Sequence, residues 1–200
     1  ILLSIYTPTL FYWVNSNDKD LDPQDMRNMG GLRKRMPITY ITMLISTLAI
    51  SGVPFFSGFL SKDAILAGTV AYFQQYHGWT IILPIAGFGA AIITAFYMFR
   101  LIFMTFHGKP KEEKIIQNIQ ESPIAMTFPL ILLSILSFAV IFTFPHFNPI
   151  HSTGWFTELV PMSENFAGLN THLVEESIHH AHNIAMIISL IVASLGIFIA

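Results

Sequence analysis

The chain has 200 residues, of which 53% are hydrophobic and 11% are charged, and its formal net charge is −2. A soluble domain is usually about 25% charged, so this composition is typical of a membrane protein. The small negative charge argues against a nucleic-acid partner. Because the chain has no cysteine, disulfides, iron–sulfur clusters and thiolate metal sites are excluded within these residues.

Long uncharged runs predict several membrane-spanning helices. A single helix from Met36 to Tyr76 would measure about 60 Å, roughly twice the hydrocarbon thickness, so this run must fold back. Gly52-Val53-Pro54 is the natural break, because proline is tolerated in the first turn of a helix. We therefore expect an all-α polytopic membrane protein. Its helices are predicted at about 37–51, 54–76, 79–107, 123–145 and 178–200.

Most of the charged residues lie between these spans, and these charged stretches divide the chain into three parts. Residues 1–36 hold an unassigned stretch (1–20) and a basic polar loop, and residues 37–110 form a core of about three helices. Residues 111–200 carry two further helices with a histidine-bearing loop between them. Neither end of the chain has a boundary signal, so we expect it to be a piece of a longer protein.

Lys62 and Asp63 are ionisable residues inside the second predicted helix. They lie about eight residues after Pro54, or roughly 12 Å along the helix axis. An ionisable side chain in a membrane helix costs about 2.5–3.5 kcal/mol on insertion scales, so it normally faces a protein interior or a wet cavity. We predict that Lys62 relays protons, and that Asp63 either pairs with another helix or lines the exit.

The alternative interpretation is that the long side chain of Lys62 reaches an interface and that Asp63 is a boundary charge. That interpretation needs the helix to begin much nearer to Ser61. The breaks at Gly52–Pro54 and Ser57-Gly58 favour a proton path instead, because transporter helices are often interrupted beside an ion site.

Histidines follow in the last third of the chain. His179 and His182 are three residues apart and share one face of a helix, which is spacing that two metal ligands can use. Glu175 and Glu176 could supply further ligands. The alternatives are a solvated loop before a membrane helix and a pH-sensing role. We expect no metal site, with His179 and His182 as the candidate pair if one exists.

Three ordered motifs resemble a known family. They are DPQDMRNMGGLRKRMP at Asp22–Pro37, GVPFFSGFLSKDAILAG at Gly52–Gly68 and FYMFRLIFMTFHGKP at Phe96–Pro110. Together they resemble chain 5, the NuoL type of antiporter-like membrane subunit of proton-pumping NADH–quinone oxidoreductase (respiratory complex I). The resemblance covers about Leu21 to Pro110. Residues 1–20 depart from the family pattern, and beyond Pro123 only hydropathy and helix order are similar.

The resemblance implies part of an antiporter-like inverted-repeat bundle in which the helix carrying Ser-Lys-Asp is discontinuous. It places Lys62 at the proton-exit side of a path whose other residues precede this chain, and Asp63 matches the adjacent family aspartate. No cofactor is expected on this chain; NADH, FMN, iron–sulfur clusters and quinone are expected on other subunits. The implied partners are other membrane-arm subunits, the lipid bilayer and protons. The implied location is a bacterial inner membrane, with the mitochondrial inner membrane as the alternative.

Two other functions stay open at this point. The large subunit of a multisubunit Na⁺/H⁺ antiporter shares the same ancestry, and the Ser-Lys-Asp sequence does not separate it from the pump. A purely structural membrane subunit would hold partners together and move no ion. The DPQDMRNMGGL stretch favours the pump, so we expect a subunit of an NADH–quinone oxidoreductase that carries no redox chemistry itself.

Overall fold

A computed structural model describes residues 30–109, 119–138 and 171–200, with Met26, Ile141 and Thr143; in the last helix, side chains are described from Ile184. The regular elements in this part of the chain are all helical. The α-helices are α1 (Pro37–Ser51), α2 (Ser57–Tyr76), α3 (Ile82–Ile102), α4 (Ile124–Leu136) and α5 (Thr171–Ile199). A 3₁₀ turn at Gly78–Ile81 precedes α3, and a π-helical turn at Phe103–His107 follows it.

The helical stretch Gly78–His107 is the one among the described residues that is both long and apolar enough to cross a membrane. It has 30 residues, which at about 1.5 Å per residue exceeds the ~30 Å hydrocarbon thickness. Shorter apolar helices are Pro37–Ser51, Ile124–Leu136 and Ile184–Ile199. The helix α2 does not belong to either group, because Ser61, Lys62 and Asp63 make it more polar.

Contacts divide the chain into two compact units, of which the first takes in residues 1–47 and 97–136. Its hydrophobic core contains Leu32, Met36, Met43, Ile102, Phe106 and Ile119. Glu121 binds the start of α1: its carboxylate accepts the backbone N–H of Ile38 at 2.9 Å and the hydroxyl of Thr39 at 2.6 Å. A carboxylate there satisfies an unpaired N–H group and interacts favourably with the helix dipole.

The first and third sequence motifs meet inside this first unit. A Cβ on Gly30 would lie 2.7 Å from the carbonyl carbon of Lys109, so only glycine permits this approach of the two backbones. The guanidinium of Arg33 lies 5.2 Å from the centre of the Tyr40 ring, and its Nη1 atom is 3.5 Å from Nε2 of His107. The loop before α1 is therefore held against the turn that ends the spanning helix.

The second unit takes in residues 48–96 and 137–199, and within it α2 packs against α5. The buried residues of α2 recur three or four positions apart, so they form one face of the helix. They are Phe59, Asp63, Leu66, Ala67 and Ala71. Helix α5 also lies close to α3, since a Cβ on Gly196 would be 2.6 Å from the Cβ of Ala95.

The helix α2 begins at Ser57, three residues later than the sequence predicts. Pro54 and Phe55 lie in a turn, and Phe55 has a φ of 79°, which no helical residue adopts. Lys62 is therefore roughly 8 Å along the axis of α2 from its first residue rather than about 12 Å. The predicted depth of Lys62 in its helix was therefore too large.

The span expected at 123–145 is interrupted as well. The helix α4 ends at Leu136, and the carbonyl of Ser137 then accepts the backbone N–H of Ser57 at 2.8 Å. Phe56 and Phe138 form an isolated β-bridge, with ring centroids 5.2 Å apart. These contacts satisfy backbone groups that a continuous helix would satisfy internally, as any interruption inside a membrane protein must. The last helix, α5, begins earlier than predicted, at Thr171.

Candidate functional site

The C-terminus of α1 forms one side of the candidate site. The N–H of Val53 bonds the carbonyl of Leu48 at 3.1 Å, and the N–H of Gly52 bonds that of Ala49 at 3.2 Å. This pair of bonds, with Gly52 at a φ of 80°, is the Schellman motif that ends many helices. The motif uses two of the terminal carbonyls of α1, and the next one, of Ile50, remains available.

Lys62 uses that carbonyl. Its Nζ atom donates a long hydrogen bond of 3.4 Å to the oxygen of Ile50, and its side chain is partly buried. The end of a helix carries a partial negative charge, which attracts the ammonium group. The break after Ser51 therefore gives this lysine a place inside the second unit, at the end of α1.

Asp63 is 1% exposed and lies on the buried face of α2. A charge at a membrane boundary would be open to water or lipid headgroups, whereas this carboxylate is enclosed by protein. Because successive helix residues point about 100° apart, Lys62 and Asp63 face different neighbours, as the helical spacing requires. Both nevertheless border the same small cavity.

The cavity brings together parts of the chain that are far apart in sequence. It is lined by Ser51 and Gly52 at the end of α1, by Phe59, Lys62 and Asp63 of α2, by Ala91 of α3 and by Ser189 of α5. Four of these residues carry an amine, a carboxylate or a hydroxyl group, which are groups that can hold protons and pass them on. The sequence pointed to the two charged residues, but it offered no signal for Ser189.

The second hydroxyl, of Ser51, has a local signal in the sequence. It is the last residue of α1 and comes directly before the glycine that ends the helix. A polar residue at a helix break is a natural neighbour of an ion path.

The histidine pair lies outside the residues whose side chains are described. His179 and His182 both fall within α5, as part of its first half. Among the side chains that are described, no group of three or more histidine, aspartate or glutamate residues could hold a metal ion. The candidate pair His179 and His182 stays a prediction.

The family model described as NADH:quinone oxidoreductase/Mrp antiporter, TM matches residues 1–94. The match contains the break between α1 and α2 and the Lys62–Asp63 pair. It also contains residues 1–20, so the family similarity includes the stretch that the three motifs leave unassigned.

Named relatives of this chain agree with the match. NADH-ubiquinone oxidoreductase chain 5 of Dictyostelium citrinum is 46% identical over 117 residues, 58% of this chain and 17% of the relative. NADH-quinone oxidoreductase subunit L of Neisseria meningitidis is 35% identical over 175 residues, 79% of this chain and 25% of the relative. F(420)H(2) dehydrogenase subunit L of Methanosarcina mazei is 38% identical over 142 residues, 68% of this chain and 20% of the relative.

These relatives are much longer than the chain, which spans between 17% and 25% of their length. The 79% share aligned with the Neisseria protein is larger than the part between Leu21 and Pro110. The similarity therefore extends beyond the three motifs. The chain is thus a helical, antiporter-like membrane segment similar to subunits of an oxidoreductase complex.

Proposed function

We propose that this chain is part of the proton-translocating membrane subunit of an NADH–quinone oxidoreductase, and that Lys62 releases protons at the exit side. The observation that carries the proposal is the placement of Lys62. It borders the same cavity as the buried residue Asp63, at a helix end that attracts its charge, in a helix too polar to be a simple lipid-facing span.

The redox chemistry belongs to other subunits under this proposal. NADH, FMN, iron–sulfur clusters and quinone would all be held elsewhere, and this chain would contact other membrane-arm subunits, lipid and protons. The relative from Methanosarcina mazei carries an F(420)H(2) dehydrogenase name, so similar membrane subunits serve complexes with different electron donors. The host membrane we propose is a bacterial inner membrane, with the mitochondrial inner membrane as the alternative.

A multisubunit Na⁺/H⁺ antiporter is the second candidate, because the description of the matching family includes Mrp antiporters. The named relatives above are oxidoreductase or dehydrogenase subunits, which favours the pump. The two functions separate in membrane vesicles. A pump acidifies the lumen when NADH is oxidised in Na⁺-free buffer, whereas an antiporter needs an imposed Na⁺ or proton gradient.

The test of the role of Lys62 uses the complete subunit in the assembled complex, in inverted membrane vesicles. Lys62→Ala is expected to lower the rate of NADH-driven proton uptake by about a hundred-fold or more, the lower end of what a positioned proton-transfer group contributes. Assembly on native gels and electron transfer to an artificial acceptor should be unchanged.

The matched control for this test is Ile65→Ala. Ile65 is on the same helix and is 67% exposed, so its truncation leaves the cavity intact. Pumping by Lys62→Ala at the level of Ile65→Ala would rule out the proposed role. If Lys62→Ala assembles poorly but the complex that does assemble pumps normally, a purely structural subunit is supported instead.

A further inference from the structure

The hydroxyl group of Ser51 is buried without a hydrogen bond. Its side chain is 1% exposed, and its Oγ atom has no partner among the described residues. Helical serines usually donate to a carbonyl of the preceding turn. Other serines here do so: Ser46 to Thr42, Ser134 to Ile131, Ser189 to Met186 and Ser194 to Leu190. Buried hydroxyl groups normally have a hydrogen-bond partner, so we expect Ser51 to bond a different group.

The surroundings of this hydroxyl suit a water molecule. The cavity that Ser51 lines has room for about one water, and the polar residues Lys62, Asp63 and Ser189 line it too. Ser189 donates its own proton to Met186 at 2.9 Å, so its oxygen can accept a bond from the cavity. Lys62 bonds the carbonyl of Ile50 and has two further N–H groups. A buried water needs two to four such partners.

We propose that this cavity binds one water molecule, and that Ser51 is the positioning residue that holds it for proton transfer between Lys62 and Asp63. This inference rests on the proposed function. The ammonium of Lys62 gives one proton to the water, and the water gives one of its own protons to the carboxylate of Asp63. The products are neutral Lys62, protonated Asp63 and an unchanged water. A hydroxyl that can both donate and accept can keep its bond to the water throughout.

The first test is the water itself. A density map of the complete complex, at a resolution that shows ordered waters elsewhere in the membrane arm, should show a water within hydrogen-bond distance of Ser51 Oγ. The same map of Ser51→Ala should lack it. The inference is overturned if the map of the unmodified complex shows no water at Ser51. It is also overturned if the map of Ser51→Ala still shows that water. The map of the unmodified complex, where an absent water overturns the inference, does not depend on how well Ser51→Ala assembles.

The second test is proton pumping in vesicles. Ser51→Ala should lower the rate of NADH-driven proton uptake by about two- to ten-fold, the range that one neutral hydrogen bond contributes, and should raise the solvent deuterium isotope effect on pumping. Ser51→Thr keeps the hydroxyl and should recover most of the loss. The control is Thr47→Val, which removes a buried hydroxyl that also lacks a partner among the described residues but is not one of those lining the cavity.

Failure of the proposed function and failure of the positioning role of Ser51 give different results. If Lys62→Ala pumps normally, the proposed function is wrong whatever Ser51 does. If Lys62→Ala stops pumping while Ser51→Ala pumps as well as Thr47→Val, the function stands and the positioning role of Ser51 is wrong.

Discussion

The side chain of Lys62 folds back over Gly52, so that its Cδ atom lies 3.1 Å from the position a Cβ on Gly52 would occupy. Gly52 is also left-handed, with a φ of 80°. One glycine thus ends α1 and leaves space for the lysine that reaches the end of that helix. Both the turn and the position of Lys62 therefore depend on the absence of a Cβ at Gly52.

Gly52→Ala should therefore damage both. A left-handed alanine costs roughly 1–2 kcal/mol, and the new methyl group would push Lys62 away from Ile50. We expect a lower thermal inactivation temperature of the purified complex and weaker proton pumping. Gly89→Ala is the control, because a Cβ there meets nothing within 4 Å. Equal pumping by the two variants would show that the position of Lys62 does not depend on this turn.

Gly58 permits the close approach of α2 to α1, because a Cβ on Gly58 would overlap the carbonyl oxygen of Ala49. Gly58→Ala should cost about 1–3 kcal/mol, as overpacking does, and reduce the amount of assembled complex on native gels. Gly68→Ala lies on the same helix with open space around it and should be neutral or stabilising by up to about 1 kcal/mol. Similar behaviour of the two variants would contradict this packing.

Glu121 acts as a cap for α1 supplied from a distant part of the sequence. Glu121→Ala leaves the N–H of Ile38 and the hydroxyl of Thr39 without their carboxylate partner. We expect a loss of about 0.5–2 kcal/mol in stability, typical of a lost N-terminal cap. Thermal inactivation of the complex measures it. Pumping per NADH should be unchanged at temperatures where the variant is intact, and a specific pumping defect would assign Glu121 another role.

Asp63→Asn tests whether the buried carboxylate takes part in transfer. The amide has nearly the same shape but cannot accept and release a proton in the same way. We expect reduced proton uptake per NADH with assembly retained. Ser61→Ala, which removes an exposed neighbouring hydroxyl, is the control. If Asp63→Asn pumps normally but assembles poorly, the role of Asp63 is in packing α2 against α5.

Much of this architecture follows from contiguous residues. Uncharged runs indicate helices, and Gly52 followed by Pro54 indicates the break, because left-handed glycine and proline act on their own stretch of backbone. Lys62 stands out for a similar reason, since a charge is costly in apolar surroundings whatever its neighbours are. The helical class, the reversal before α2 and the candidate lysine could all be predicted in this way.

Other features depend on which helices lie side by side. At the start of α2, the N–H of Ser57 bonds the carbonyl of Ser137. Asp63 is buried because α2 packs against α5. The cap on α1 is supplied by Glu121. Ser51 and Ser189 meet at one cavity for the same reason. Hydropathy and turn chemistry are local properties, whereas the partner of a helix face is chosen by packing among segments far apart in the chain, which a single sequence does not display.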